Sequence, residues 1–158
     1  WLKTLELSDL QRETLNEYLL TYEYLTEKIS RFDERIEELA SVERYEEKVK
    51  HISCLLGINT HTALSNIVEF GYFERFEKAP KIASFLGLVP SEDTSDTRVN
   101  RYSITKAGNS HLRRLLVESA QSYTRGNVGH KSVALKQRQK GNPPEVIAYA
   151  DKANERLR

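Results

Sequence analysis

Residues Leu88–Ala120 read LVPSEDTSDTRVNRYSITKAGNSHLRRLLVESA. Pro90 closes an apolar run, Phe85-Leu86-Gly87-Leu88-Val89, and Ser91, Glu92, Asp93, Thr94, Ser95 and Asp96 follow it. Short hydroxyl and acidic side chains compete for backbone hydrogen bonds, so this cluster reads as an exposed polar loop. Thr97 to Ile104 alternates loosely through Val99, Tyr102 and Ile104, which suits a short extended segment or a hairpin arm. Gly108 permits a tight turn, and Asn109 or Ser110 can cap a helix. Leu112, Leu115, Leu116, Ala120 and Tyr123 then recur at helical spacing and give one apolar face.

Charge is concentrated in and after this stretch. Residues 97–140 hold ten Lys or Arg and a single acid, Glu118, in a chain whose net charge is only +1. Such a concentration is the footprint of a polyanion partner. The bland reading is a solvated basic surface. Arg98, Arg101, Lys106, Arg113 and Arg114 lie nearest the polar run and are the candidate phosphate contacts, and the free N–H groups of a helix beginning near Asn109 suit a phosphate as well.

The N-terminal third has the opposite character. Residues 1–50 carry 8 basic and 13 acidic side chains, against 16 and 10 in the remainder, which implies two functional parts. Ser8 and Gln11 fit the two ends of a capping box. Beyond them Leu15, Tyr18, Tyr22, Leu25, Ile29, Phe32, Ile36 and Leu39 alternate spacings of three and four, with no Gly or Pro inside. This is a heptad seam, and it predicts one long helix over 8–40 that pairs in trans or packs against another helix. The acids solvate its outer face.

The phase breaks at Ala40-Ser41. A helix over about 42–55, then Leu56-Gly57-Ile58-Asn59, then a helix from Thr60 to Phe70 ending at Gly71, is the outline of a helix-hairpin-helix module. In such modules the turn offers N–H groups to a DNA phosphate. Gly57 and Asn59 are the turn residues in question, Asn59 because asparagine tolerates positive φ. An αα-hairpin that only builds the core fits equally well. Tyr72, Phe73 and Phe76 should pack, and Pro80 suits the first turn of a short helix over 80–86 stopped by Gly87. Gly126 and Gly129 mark a loop. A basic helix is expected over about 131–139 and a last helix, capped by Asn142, to about Arg156.

Several classes are excluded or unsupported. Cys54 is the only cysteine, so no intrachain disulfide is possible and a reducing, cytoplasmic location is expected. No apolar run approaches the ~18 residues of a membrane span. The chain starts at Trp1 and has no methionine, which reads as part of a longer protein. His51, His61, His111 and His130 are scattered, without metal-ligand spacing, so no metal site and no cofactor is expected in this chain.

The blocks FLGLVPSE at 85–92, ITKAGNSHLRRLLVESA at 104–120 and LLGINTHTA at 55–63 resemble the C-terminal domain of insertion sequence 110 family transposases. The resemblance is close over about 42–125. In that family a Ser-Ser-Gly element after the GL-V-P block supplies a serine nucleophile, beside an N-terminal RuvC-like domain carrying metal-binding acids. By spacing, the element corresponds to Thr94-Ser95-Asp96, which makes Ser95 the candidate nucleophile. Threonine and aspartate replace the family's first serine and glycine. The resemblance further implies DNA as substrate, a structured guide RNA as partner, magnesium in the RuvC-like domain, and a coiled coil that assembles subunits.

The sequence therefore predicts a mainly α chain, with a coiled-coil oligomerisation segment at 1–41. A helical transposase domain at 42–158 carries the hairpin-like helix pair and the polar loop. The expected function is DNA strand cleavage and transfer by Ser95. The alternatives are a non-catalytic, coiled-coil-dimerised DNA- or RNA-binding module, and an oligomerisation domain with an incidental basic face.

Overall fold

The computed structural model describes residues 1–95, 98–125 and 129–157, with the backbone alone at Lys3, Thr94, Ser95, Arg98 and Val99. Asp96, Thr97 and Gly126, named above, lie outside the described residues. The chain is mainly helical, and its contacts divide it into two units, Trp1–Leu39 and Ala40–Arg158.

The first unit is dominated by helix α1, Asp9–Ala40, 32 residues long or about 48 Å at ~1.5 Å per residue. Its start is set locally. The Gln11 side-chain oxygen accepts from the Ser8 backbone N–H at 3.0 Å and from the Ser8 hydroxyl at 2.9 Å. The Ser8 carbonyl accepts the first helical bond from Arg12 N–H. The middle of the heptad seam stands in solvent within the single chain, Tyr18 being 72% exposed, Tyr22 68%, Ile29 60% and Phe32 59%, while Leu15, Ile36 and Leu39 are half-buried.

The second unit begins with α2, Glu43–Ile52, and α3, Thr60–Phe70, which pack on each other. The chain then makes a short 3-10 turn at Phe73–Arg75 and enters α4, Ala79–Phe85, with proline in its first turn. Strands β1, Pro90–Ser95, and β2, Arg98–Ile104, form an antiparallel hairpin. Helix α5, Ser110–Ala120, runs on into a 3-10 turn, Gln121–Thr124. Helices α6, Val133–Gln139, and α7, Pro144–Arg156, complete the unit.

Phe70, Leu86 and Leu112 are buried together, packed by Phe73, Phe76, Ile82, Phe85, Leu88 and Leu116. Phe70 lies 5.2–6.0 Å, centroid to centroid, from Phe73, Phe76 and Phe85. This apolar cluster joins α3, α4 and α5, so the hairpin between α4 and α5 rises from it.

A second, polar cluster ties the 53–56 segment to the C-terminal helices. Asn154 accepts from Leu56 N–H and from the Tyr123 hydroxyl, each at 2.9 Å, and donates to the Cys54 carbonyl at 3.4 Å. Gln139 donates to the same carbonyl at 3.2 Å and to Asp151 at 3.0 Å, and Lys131 bridges Gln139 and Asp151. Arg138 donates to the Ser53 carbonyl at 3.0 Å. Burial lowers the Arg138 pKa and raises that of the Cys54 thiol, the latter with help from Asp151.

Five expectations are corrected. Tyr72 is left 75% exposed, outside the apolar cluster that takes in Phe73 and Phe76. The run Pro90–Ser95 is a strand, not a loop, because pairing with β2 satisfies its backbone although Glu92 and Asp93 are exposed and Ser91 is only half-buried. Ala120 is exposed, and Ser119 takes the inward position, its hydroxyl donating to the Leu115 carbonyl. Asn59 has φ −97° rather than a positive value and serves as N-cap of α3, accepting from Thr62 N–H at 2.9 Å. Asn142 does not cap α7. Its amide turns back to the Arg138 carbonyl at 2.9 Å, and the helix starts at Pro144, where a missing N–H costs nothing.

Candidate nucleic-acid interface

The hairpin is held at its base by the two sequence blocks that flank it. The carbonyls of the 85–89 segment take four donors from 105–113. Val89 accepts from Thr105 N–H at 2.9 Å, Gly87 from Lys106 N–H at 3.1 Å, and Phe85 from Asn109 N–H at 3.3 Å. Leu86 accepts from the Arg113 guanidinium at 2.8 Å. The two glycines allow this approach. A Cβ at Gly87 would stand 2.8 Å from Ala107 N, and one at Gly108 would stand 2.3 Å from the Phe85 carbonyl oxygen. Lys106, at φ 54°, is the one non-glycine residue with positive φ among those described, and it sits in the same junction.

From this base Pro90 stands opposite Ile104, the register shifts between Pro90 and Glu92, and from there the strands pair evenly, Glu92 opposite Arg101, Asp93 opposite Asn100, and Ser95 opposite Arg98. Ser95 and Arg98 are thus the last pair of the ladder, about 17 Å from Pro90 at ~3.4 Å per residue. Arg101 Nε donates to Glu92 at 2.8 Å, with both side chains largely in solvent. A pair this exposed is worth at most about 1 kcal/mol and is screened by salt, so phosphate can displace Glu92.

One backbone N–H at the start of α5 is capped by a side chain. Asn109 caps it, accepting from Leu112 N–H at 3.0 Å, and the Asn109 amide donates to Glu69 at the end of α3. His111 Nδ1 lies 2.9 Å from the other Glu69 oxygen. These contacts, that from Asn109 first, hold the Glu69 carboxyl below its ordinary pKa. The Glu69 carboxylate thus engages the side chains of Asn109 and His111 beside the start of α5. Glu69 was not singled out in the sequence, and nothing local marks it: its partners are 40 and 42 positions away.

Beyond Arg101, paired with Glu92, and Arg98, of which the backbone alone is described, the basic set divides in two. Arg113, Lys131 and Arg138 spend donors on protein acceptors and are partly buried. Lys106, Arg114, Arg125, Lys136 and Lys140 are exposed, Arg114 only loosely approached by Glu118 at 3.9 Å. At Gly57, φ +79°, a Cβ would meet the Ser119 carbonyl at 2.3 Å and the Ser122 hydroxyl at 2.8 Å. That close packing favours the core-building reading of the α2–α3 pair at this glycine. Among the described residues no cluster of three or more His, Cys, Asp or Glu side chains could hold a metal, and no helix is long and apolar enough to cross a membrane.

Comparison with known proteins places this arrangement. The sequence profile of the Transposase IS116/IS110/IS902 family matches residues 49–134, a span that holds α3, α4, the hairpin and α5 whole. The chain is 28% identical over 160 residues to the transposase for insertion sequence element IS1533 of Leptospira borgpetersenii, covering 99% of this chain and 45% of that protein. It is 30% identical over 121 residues to the transposase for insertion sequence element IS1111A of Coxiella burnetii, covering 73% of this chain and 33% of that one. A third match, 40% identical over 72 residues, is the putative transposase y4qE of Sinorhizobium fredii, with 46% of this chain and 18% of the relative covered. The chain spans less than half the length of each of these curated relatives. The family profile covers more than half of the chain, and the chain belongs to the IS116/IS110/IS902 family of transposases.

Proposed function

We propose that this chain is the strand-transfer part of a DNA transposase, with Ser95 as its nucleophile. The observation that carries the reading is the register of the hairpin. Ser95 closes the ladder opposite Arg98, at the end remote from the junction of the two family blocks. A reactive hydroxyl at the end of a strand pair, with its base clamped by backbone hydrogen bonds, can be offered to a DNA strand while the helical core stays fixed.

The chemistry balances without an oxidant or reductant. The Ser95 hydroxyl gives up its proton and its oxygen attacks a DNA phosphorus. The phosphorus–oxygen bond to one sugar breaks, and the departing oxygen takes up a proton to become a free hydroxyl. The product is a phosphoserine diester, which a second DNA hydroxyl can reverse or redirect. Cationic groups near the hairpin, Arg98, Arg101, Lys106 and Arg114, would hold the phosphate and offset charge in the transition state. Arg113 positions the hairpin base instead. The family resemblance assigns magnesium to a separate RuvC-like domain. The described residues of this chain offer no ligand set for it, and no step here runs through it. A guide RNA for the intact transposase, and self-assembly through the α1 seam, are parts of the same proposal.

The test is a trapping experiment on the intact transposase carrying this domain, with nicked donor DNA and its RNA. A denaturing gel and peptide mapping should find a DNA adduct on Ser95, absent in Ser95→Ala, with DNA binding unchanged. An adduct on Ser91 or Ser103 would retain the chemistry and move the nucleophile. DNA binding without an adduct would leave a non-catalytic binding module.

A further inference from the structure

A groove on the other side of the sequence from the serine hairpin has the composition of a nucleotide-stacking site. It lies between α2 and the end of α3, has a volume of about 520 Å³, and is lined by Arg44, Tyr45, Lys48, Val68, Gly71 and Tyr72 over a floor of Ile67. That size falls within the roughly 300–1,000 Å³ of ligand clefts. No carboxylate lines it.

Arg44 and Lys48 are four positions apart, so both reach the same side of α2, and both are exposed. The Arg44 guanidinium stands 5.3 Å from the centre of the Tyr45 ring, a cation–π arrangement. Of the acids that neighbour them in sequence, Glu43 sits about 100° round the helix from Arg44 and Glu47 about 60°, neither lines the groove, and Glu46 is engaged by Lys50 at 2.5 Å. Tyr72 is 75% exposed and Val68 56%, large apolar surfaces left in water at the groove edge. Gly71, at φ +64°, has no atom within 4 Å of its would-be Cβ, so a second backbone can come close there.

Aromatic faces beside cations and away from carboxylates are what an unpaired strand requires. Bases stack on the rings, phosphates pair with the cations, and neither depends on sequence. A duplex, whose bases are already stacked, gains only the charge term. The geometry points to this groove as a binding site for an unpaired DNA strand, stacked on Tyr72 and Tyr45 with its phosphates on Arg44 and Lys48. DNA is chosen because the inference rests on the reading of the chain as a DNA strand-transfer domain.

The test uses the 158-residue chain and a labelled thymidine oligonucleotide of about 12 residues, long enough to cover one aromatic groove. Tyr72→Ala should weaken binding roughly 5- to 150-fold, and Tyr72→Phe should restore it. Joint Arg44→Gln and Lys48→Gln should flatten the salt dependence by about 1.4 in slope. An oligonucleotide carrying 5-iododeoxyuridine should cross-link to the peptides holding Tyr45 or Tyr72. Unchanged binding by Tyr72→Ala, with cross-links elsewhere, would overturn the site. An oligouridine bound more tightly than oligothymidine, with the same dependence on Tyr72, would overturn the choice of DNA in favour of RNA. A chain that binds duplex DNA but not the oligonucleotide defeats the groove alone, whereas one that binds neither defeats the DNA reading on which it rests.

Discussion

Gly108 lies so close to Phe85 that a Cβ on it would stand 2.3 Å from the Phe85 carbonyl oxygen. This contact joins the two blocks that bracket the hairpin, and it sets the exit of β2 against the end of α4. Gly108→Ala must therefore move a main-chain segment as well as accept a strained φ of +152°, at a cost of about 2–4 kcal/mol. Gly141→Ala is the matched control. It has φ +85° with nothing within 4 Å, so only the backbone term of about 1–2 kcal/mol applies. Thermal unfolding of the two variants should separate them. Equal losses would mean that the close approach contributes nothing.

Helix ends were legible where the cap is a local event. Ser8 with Gln11, Thr60 to Gly71, and Asn109 before α5 are all decided within four residues, and each stands where the sequence puts it. Strand β1 was hidden because its residues carry turn chemistry and no apolar alternation. It is a strand through what it pairs with, and burial plays little part. The polar cluster around Asn154 was hidden for a related reason. Periodicity marks an apolar face, but it does not say which asparagine or glutamine on a mixed face will find a carbonyl 85 or 100 positions away. The basic footprint was legible as a total and misleading in detail, since Arg113, Lys131 and Arg138 serve the fold.

Asn154→Ala tests the polar cluster. The change removes the acceptor of Leu56 N–H and a donor to the Cys54 carbonyl, at a residue only 8% exposed. Leaving a buried N–H without its acceptor costs about 1–3 kcal/mol, and the side-chain cavity adds to it. A loss of about 2–4 kcal/mol in urea unfolding is expected, with helicity otherwise retained. A loss below about 0.5 kcal/mol, the usual effect of a surface change, would show that water replaces the side chain.

Glu69 gives a pH dependence with a defined sign. Asn109 and His111 favour its ionised form and lower its pKa from the ordinary 4.5. The folded state thus binds the proton less readily than the unfolded state. The stabilisation is complete above the ordinary value and is lost as pH falls below it, through the folded pKa. Glu69→Gln should destabilise the α3–α5 junction near pH 7, and the difference from the unsubstituted chain should shrink towards about pH 3. Melting temperatures measured at both pH values decide this. A difference that does not narrow on acidification would place the effect in the shape of the side chain and not in its charge.

The α1 seam carries the last prediction. Tyr22 and Ile29 are 68% and 60% exposed within the single chain, so a charge at either position desolvates nothing there. If copies pair along the seam, the same charge would be buried against apolar rings and would need to shed its hydration, a cost of several kcal/mol per uncompensated ion. The unsubstituted chain should therefore self-associate with rising concentration, while Tyr22→Glu with Ile29→Glu should sediment as a monomer with the helix content of the second unit intact. Two monomers at every concentration would assign the seam to a helix of another protein segment. Two oligomers of equal size would show that assembly runs through a different surface.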